Sequence, residues 1–328
     1  MIKVEKRAST VLYKFLISNC EGYHFFIPAN VCSVVPLTFL KSKIDFSFVD
    51  IDPQTHAGSF ELFKDCVNAS PNLKLGVFFV NAYGARCSTT DFYRELRKIR
   101  QDLIIIEDNC LCIPETHRDT PNKYVDLEFY STGYSKYANL EIGGGYGIIQ
   151  DDCSYNEFSY PFNINGYSEQ LSKIKKCRKS GDIFVYEEND WLPSTKIIND
   201  AYTLQEYLSD IQEKIKQSMR HKSSINLVYD EMLPNRIKLG TSYNTWRYML
   251  MLPSRFIRDE ILDALFAENL YASAHYQSAA YLFKHVHCEN TENEANCLLN
   301  LFNEEKYSIL EARKTAEIIN KILKKHDK

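Results

Sequence analysis

Five short aromatic or β-branched runs divide the first 132 residues of the chain: "YHFFIPA" (Tyr23 to Ala29), "IDFSFVDID" (Ile44 to Asp52), "LGVFFVNAYG" (Leu75 to Gly84), "LIIIEDN" (Leu103 to Asn109) and "LEFYST" (Leu127 to Thr132). Several are apolar without interruption, the pattern of strands buried on both faces. Between them lie helical patterns over Ser9 to Asn19, Val31 to Leu40, Ser59 to Val67 and Thr89 to Arg100, the last with cap residues ahead of it and basic residues in its final turn. Strand and helix alternating in this way imply an α/β fold with a mainly parallel central sheet. After about Gln150 the texture turns polar and irregular. A long helical pattern runs from about Asn199 to Met232, followed by an expected strand over Thr245 to Pro253 and helices near Ser254 to Asn269 and Tyr307 to Lys325. The expected organisation is a large α/β domain over 1–198 and a smaller α+β C-terminal domain over 199–328 that includes the long connecting helix.

Composition narrows the function classes. With 328 residues, 45% of them hydrophobic, the chain can bury a sizeable core. A net charge of −4 leaves no field suited to nucleic acid or an anionic membrane, and the basic run "KIKKCRK" (Lys173 to Lys179) reads as a solvated helix face. No apolar run is long enough to span a bilayer and the first residues lack a signal-peptide core, so a cytoplasmic location is expected. The ten cysteines, many in apolar segments (Cys20, Cys32, Cys66, Cys110, Cys297), are expected to be reduced, buried thiols. Cys110 and Cys112 form C-x-C without a second pair, and His285, His287 and Cys288 in "KHVHC" read as loop residues, so no metal is expected.

Ligands of open parallel sheets bind beyond the carboxyl ends of the strands. Those ends carry Asp50 and Asp52, Asn81 with Tyr83 and Gly84, Glu107 with Asp108, and Ser131. Each alone is a turn or cap residue, and Asp108 alone reads as a helix N-cap. Lys136 follows Ser131 by five residues and precedes "IGGGYGII", whose glycines permit positive φ and close backbone approach before a returning strand. An amine held there can become a Schiff-base nucleophile. "GGGYG" opens no helix and lacks G-x-G-x-x-G, and no G-x-x-x-x-G-K-[ST] is present, which argues against the common nucleotide loops. An acid, a serine and a lysine on successive strand ends have one joint reading. Pyridoxal phosphate needs a lysine for its aldehyde, an acid for its pyridinium nitrogen, and hydroxyls or helix N-termini for its phosphate. Ser131, and Ser9 and Thr10 at the start of the first helix, could meet the phosphate.

The segments "FFIPANVCSVVPLTFLKSKIDFSFVDIDPQT", "VNAYGARCSTTDF", "LIIIEDNC" and "YSTGYSKYANLEIGGGYGII", in this order and spacing, resemble the DegT-like sugar aminotransferases. The resemblance covers Ala8 to Gln150 and continues more weakly through "TWRYMLMLP", "ASAHYQSAAYLF" and "LLNLFNEE". It implies the aspartate aminotransferase-type, pyridoxal-phosphate-dependent transferase fold and the transfer of an amino group, usually from glutamate, to a keto sugar carried on a nucleotide, as in the biosynthesis of amino sugars for surface polysaccharides. It also implies a homodimer with shared active sites. Carried over, it makes Lys136 the covalent lysine, Asp108 the pyridinium partner, and Ser131, Ser9 and Thr10 phosphate ligands. His275 and Tyr276 match a pair on the substrate side.

Several residues depart from the family pattern. Cys32 stands where an aromatic residue often stacks on the pyridine ring, and a thiol cannot supply that area. Leu111 replaces a glutamine that contacts the cofactor's hydroxyl, and Asn81 replaces a frequent histidine. Near Ser194 a phosphate-binding asparagine is missing, with Lys196 as a substitute, and most of the family's N-terminal segment is expected to be absent. Family dehydratases carry histidine in place of the lysine, so Lys136 favours transamination. The alternatives are a pyridoxal-phosphate enzyme acting on a non-nucleotide keto substrate such as a ketocyclitol, and a noncatalytic binding or regulatory member.

Overall fold

The computed structural model describes residues 1–195, 197–274 and 277–327. Its centre is a seven-stranded sheet in the order β1-β7-β6-β5-β4-β2-β3. The strands are β1 (Ile2–Glu5), β2 (His24–Pro28), β3 (Asp45–Val49), β4 (Leu75–Val80), β5 (Ile104–Asp108), β6 (Leu127–Ser131) and β7 (Gly145–Ile149). From β3 to β6 every pairing is parallel; β7 returns antiparallel to β6, and β1 runs antiparallel to β7. The five expected strands are all present, and "YGII" does resume a strand. β1 is a finding the pattern did not foretell. Its four residues lie in a charged opening segment and pair 146 positions downstream, Ile2 with Ile148.

Side chains of the inner strands alternate between two cores, as the pleat requires. Phe25, Ile27, Phe78 and Ile106 pack beneath α1 (Ala8–Asn19) and α2 (Val34–Ser42), while Phe26, Val77, Phe79 and Ile105 pack beneath α3 (Phe60–Ala69) and α4 (Thr90–Ile99). Both faces are therefore covered, which explains the uninterrupted apolar runs. After β7 come α5 (Gly166–Ser180), which carries the basic run on its surface, and the long α6 (Leu204–Met232), which begins with a capping box made by Thr203 and Glu206. The first half of α6 packs Tyr207 and Ile211 against Tyr130 and Tyr146 of the main sheet. Its second half places Ile225, Val228 and Tyr229 in a separate core around an antiparallel sheet of β8 (Tyr248–Met251), β9 (Ala272–Ser273) and β10 (Leu298–Leu301). α7 (Arg255–Ala267) and α10 (Ile309–His326) complete this core and α9 (Glu289–Cys297) packs against α7, whereas α8 (Ala279–Lys284) places Ala279, Leu282 and Phe283 in the core beneath α1 and α2. Among the described residues no helix is long and apolar enough to cross a membrane.

All ten cysteines are free, yet only Cys20, Cys112 and Cys288 are buried. The expectation of a buried Cys32 is corrected: it follows the end of β2 and stands exposed. His285 closes α8 in a left-handed conformation and His287 pairs with Glu292, and no cluster of three metal-ligating side chains occurs among the described residues.

Candidate active site

Because β7 is antiparallel, its first residues lie at the same sheet edge as the carboxyl ends of β5 and β6, Ser131 facing Gly145 in register. β1 reverses once more, so its carboxyl end, and the α1 start that follows, reach that edge as well; Glu5 faces Gly145. One edge thus gathers Asp108, Ser131, the 132–144 loop, Arg7 and Ser9. They line a cavity of about 900 Å³ together with Cys32, Cys110, Lys136 and Tyr167.

The glycine run has specific reasons. Gly143 and Gly144 have φ of +72° and +114°, the region that favours glycine. A Cβ on Gly145 would stand 2.5 Å from the backbone nitrogen of Ala8, so glycine lets β7 pass directly against the start of α1. That start is shaped for an anion. Arg7 at its N-cap position makes no side-chain cap, and the first turn holds no acidic residue. α2 and α8 also start without a side-chain cap or an acid in the first turn, whereas α3, α6, α7 and α10 are capped by Ser59, Thr203, Ser254 and Ser308. Arg7 lies with its guanidinium 4.3 Å from the ring centre of Tyr167, and burial lowers its pKa. Lys6 donates to the Ile142 carbonyl at 2.8 Å, tying the glycine loop to the same site.

Asp108 ends β5, buried, with Oδ1 accepting the Cys110 amide at 2.8 Å. Burial raises its pKa; the Cys110 hydrogen bonds and the charge of Lys136 pull it back down. Burial likewise holds the Cys110 thiol well above its ordinary value. Lys136 sits on a turn whose amide bonds the Gly133 carbonyl at 3.2 Å. The preceding Ser135 is left-handed, with φ of 59°. Trp246 donates from Nε1 to the Ser135 carbonyl at 2.7 Å, and Arg247 reaches the Ser135 hydroxyl at 3.3 Å.

The sequence-predicted residues divide clearly. Lys136, Asp108, Ser131, Ser9 and Cys32 share the cavity. Thr10 does not: it is fully buried, and its hydroxyl donates to the Pro193 carbonyl at 3.0 Å. A helix turns about 100° per residue, and that step carries the Thr10 side chain away from the cavity toward Pro193. Ser194 donates its hydroxyl to the Tyr160 carbonyl. Lys196, His275 and Tyr276 lie outside the described residues. Arg7 and Tyr167 were not anticipated; the basic "KR" just ahead of the first helix was the available sign for Arg7.

The donor set suits a pyridoxal phosphate. An amine and a buried acid share one wall, while Ser9, Ser131, Arg7 and an uncapped helix start offer a phosphate cradle whose tight backbone approach a Cβ on Gly145 would block.

No family model matches the sequence, and no curated protein matches it. Solved structures do. A DegT DnrJ EryC1 StrS aminotransferase from Brucella abortus superposes with a TM-score of 0.69 at 16% identity, covering 98% of this chain and 85% of that one. DesI, solved in the presence of its TDP-sugar product, gives 0.70 at 14% identity over 100% and 83% of the two chains. The E. coli GDP-4-keto-6-deoxy-D-mannose-3-dehydratase with bound hydrated PLP gives 0.62 at 16% identity over 97% and 87%. The chain therefore shares the α/β fold of these proteins along nearly its whole length.

Proposed function

We propose that the chain is a pyridoxal-phosphate-dependent aminotransferase that moves an amino group from an amino acid, glutamate by preference, to a keto sugar carried on a nucleotide. The observation that supports this most is the opening of Lys136, Asp108, Ser131 and Ser9 onto one cavity. The retention of lysine favours transamination over the dehydratase chemistry of one structural neighbour.

The cofactor, when bound, supplies an electron sink for charge developing at the donor's Cα. The chain's residues do the rest. Asp108 holds a proton at the ring nitrogen, and a cation there offsets the burial that raises its pKa. Ser131, Ser9 and the amides opening α1 bind the phosphate, with Arg7 adding charge. Lys136 would carry a proton between the donor's Cα and the cofactor's C4′. Two half-reactions share the site, so ping-pong kinetics follow. We further propose a cytoplasmic homodimer whose active sites lie at the interface, since the cavity rim exposes Tyr134, Ile142, Phe162 and Ile164.

Absorption spectroscopy of the purified protein with added pyridoxal phosphate tests the proposal. A band of covalently bound cofactor, fixed by borohydride and missing in Lys136→Ala, is expected, and glutamate should convert it to the pyridoxamine form. Identical spectra for wild type and variant would defeat it.

A further inference from the structure

The long helix α6 buries one lysine that the mechanism above leaves unused. Lys222 is 6% exposed, and its Nζ donates to the Trp246 carbonyl at 2.6 Å and to Asn303 Oδ1 at 2.7 Å. That amide is oriented from behind. Asn303 Nδ2 donates to Asn226 Oδ1 and to the Asn244 carbonyl, and a carbonyl only accepts, so the Asn303 oxygen faces Lys222. The nearby carboxylates are engaged elsewhere: Glu304 meets Arg247 at 2.8 Å and Glu305 meets Lys214 at 2.7 Å. A buried cation held by neutral oxygens is unfavourable in its charged form, and a perturbed amine of this kind marks a candidate functional group.

The groups that Lys222 touches lie on either side of Lys136. Its Nζ stands 5.6 Å from the ring centre of Tyr137, the residue after Lys136, within cation–π range. Trp246, whose carbonyl it binds, donates from Nε1 to the carbonyl of Ser135, the residue before Lys136. Tyr137 and Trp246 are both buried. Ser135 needs such a hold, because a left-handed serine is strained and its surroundings must offset that strain.

We infer that Lys222 is a positioning residue for Lys136, anchoring both chain neighbours of that lysine at one buried amine, Tyr137 directly and Ser135 through Trp246. This rests on the proposed pyridoxal-phosphate site and deepens it. Burial lowers the pKa of Lys222 to about 8; Glu304 and Glu305, which follow β10, favour the ammonium, and Arg247, ahead of β8, opposes it. Tyr137 stays neutral through that range, because burial raises its own pKa. A neutral amine keeps two N–H groups, enough for Trp246 and Asn303, and loses the charge that faces Tyr137. The Tyr137 half of the anchor therefore weakens as pH rises through about 8, while the Trp246 half remains.

The test follows the growth of the covalently bound cofactor band after pyridoxal 5′-phosphate is added to the full chain, at pH values on both sides of about 8. Lys222→Met keeps the apolar stem without a donor and should slow attachment about tenfold at neutral pH, the scale of one buried hydrogen bond. Lys136 and Asp108 titrate in both proteins, so the ratio of wild-type to variant rates isolates Lys222. That ratio should shrink as pH rises through about 8. Tyr137→Leu leaves Lys222 and its two hydrogen bonds in place, and its ratio should shrink in the same way. Equal rates for wild type and Lys222→Met at every pH overturn the inference. A ratio that does not shrink also overturns it, because the loss is then one of general packing. Should Lys222→Met fail to fold by far-UV spectroscopy, Tyr137→Leu decides on the same criterion. The underlying site reading fails differently, with wild type forming no band or with Lys136→Ala forming it as fast, and the inference falls with it.

Discussion

Asp108 shows what the site demands of one residue. A carboxylate at the end of a buried strand is disfavoured in its charged form, and burial raises its pKa in the folded chain. The folded state then keeps a proton that the unfolded state has released. Between the ordinary carboxylate value and the raised one, stability of the cofactor-free protein falls as pH rises, and above that window the penalty stays constant. Asp108→Asn removes the penalty while keeping an acceptor for the Cys110 amide. The variant should be more stable than wild type at neutral pH by on the order of 1 kcal/mol. The advantage should grow in chemical denaturation as pH rises above the ordinary carboxylate range, and cofactor affinity should drop about tenfold or more. Equal stability at every pH would mean the acid is already compensated. That Lys136, Asp108 and Ser131 share one sheet edge was legible because each ends or follows a strand whose pattern is plain. Thr10 was expected beside Ser9 and lies outside the cavity, because a run of hydroxyls does not say which one faces it.

At the scale of elements, the loop bearing Lys136 is held by Trp246 and Arg247, just ahead of the small antiparallel sheet, as well as by its own turns. Arg247, just before β8, is buried between Trp246 and Phe302, its guanidinium 4.7 and 3.9 Å from their ring centres. It meets Glu304 at 2.8 Å and Ser273 at 2.9 Å, and extends to Ser135 beside Lys136. Removing one partner of such a pair leaves the other charge uncompensated. Arg247→Ala should therefore lower stability by about 3 kcal/mol in urea unfolding and slow the attachment of pyridoxal phosphate to Lys136. Arg255→Ala, at an exposed position on α7, should stay within about 0.5 kcal/mol of wild type. Comparable losses would show that burial of the pair is irrelevant. The strands and major helices were readable because periodicity and burial coincide there. β1 was not, since four residues carry too little pattern and its partner strand lies far along the chain. α6 lies wholly after the division we propose at 198/199, yet its first half packs on the core of the main sheet and its second half on the other core, so the helix joins the two parts as much as it separates them.

The whole molecule presents an apolar rim around the cavity. Tyr134 and Ile164 are 82% and 81% exposed, Phe162 and Ile142 42% and 39%, and all four line the same opening. Scattered exposed apolar side chains need no explanation, but a ring of them at a ligand cavity is a feature of surfaces that become covered. A second copy seated there would bury the rim and narrow the opening, and a stable interface needs roughly 800 Å² from each partner. Charge at the centre of such a surface is strongly unfavourable in the dimer and harmless in the monomer, where the same positions face water. The double variant Phe162→Glu, Ile164→Glu should thus sediment as a monomer while keeping the wild-type far-UV spectrum, and should bind pyridoxal phosphate more weakly because the cavity stays open on one side. Wild type sedimenting as a monomer at micromolar concentration, or the variant remaining a dimer with unchanged cofactor affinity, would place any assembly interface elsewhere and leave the cavity complete within one chain.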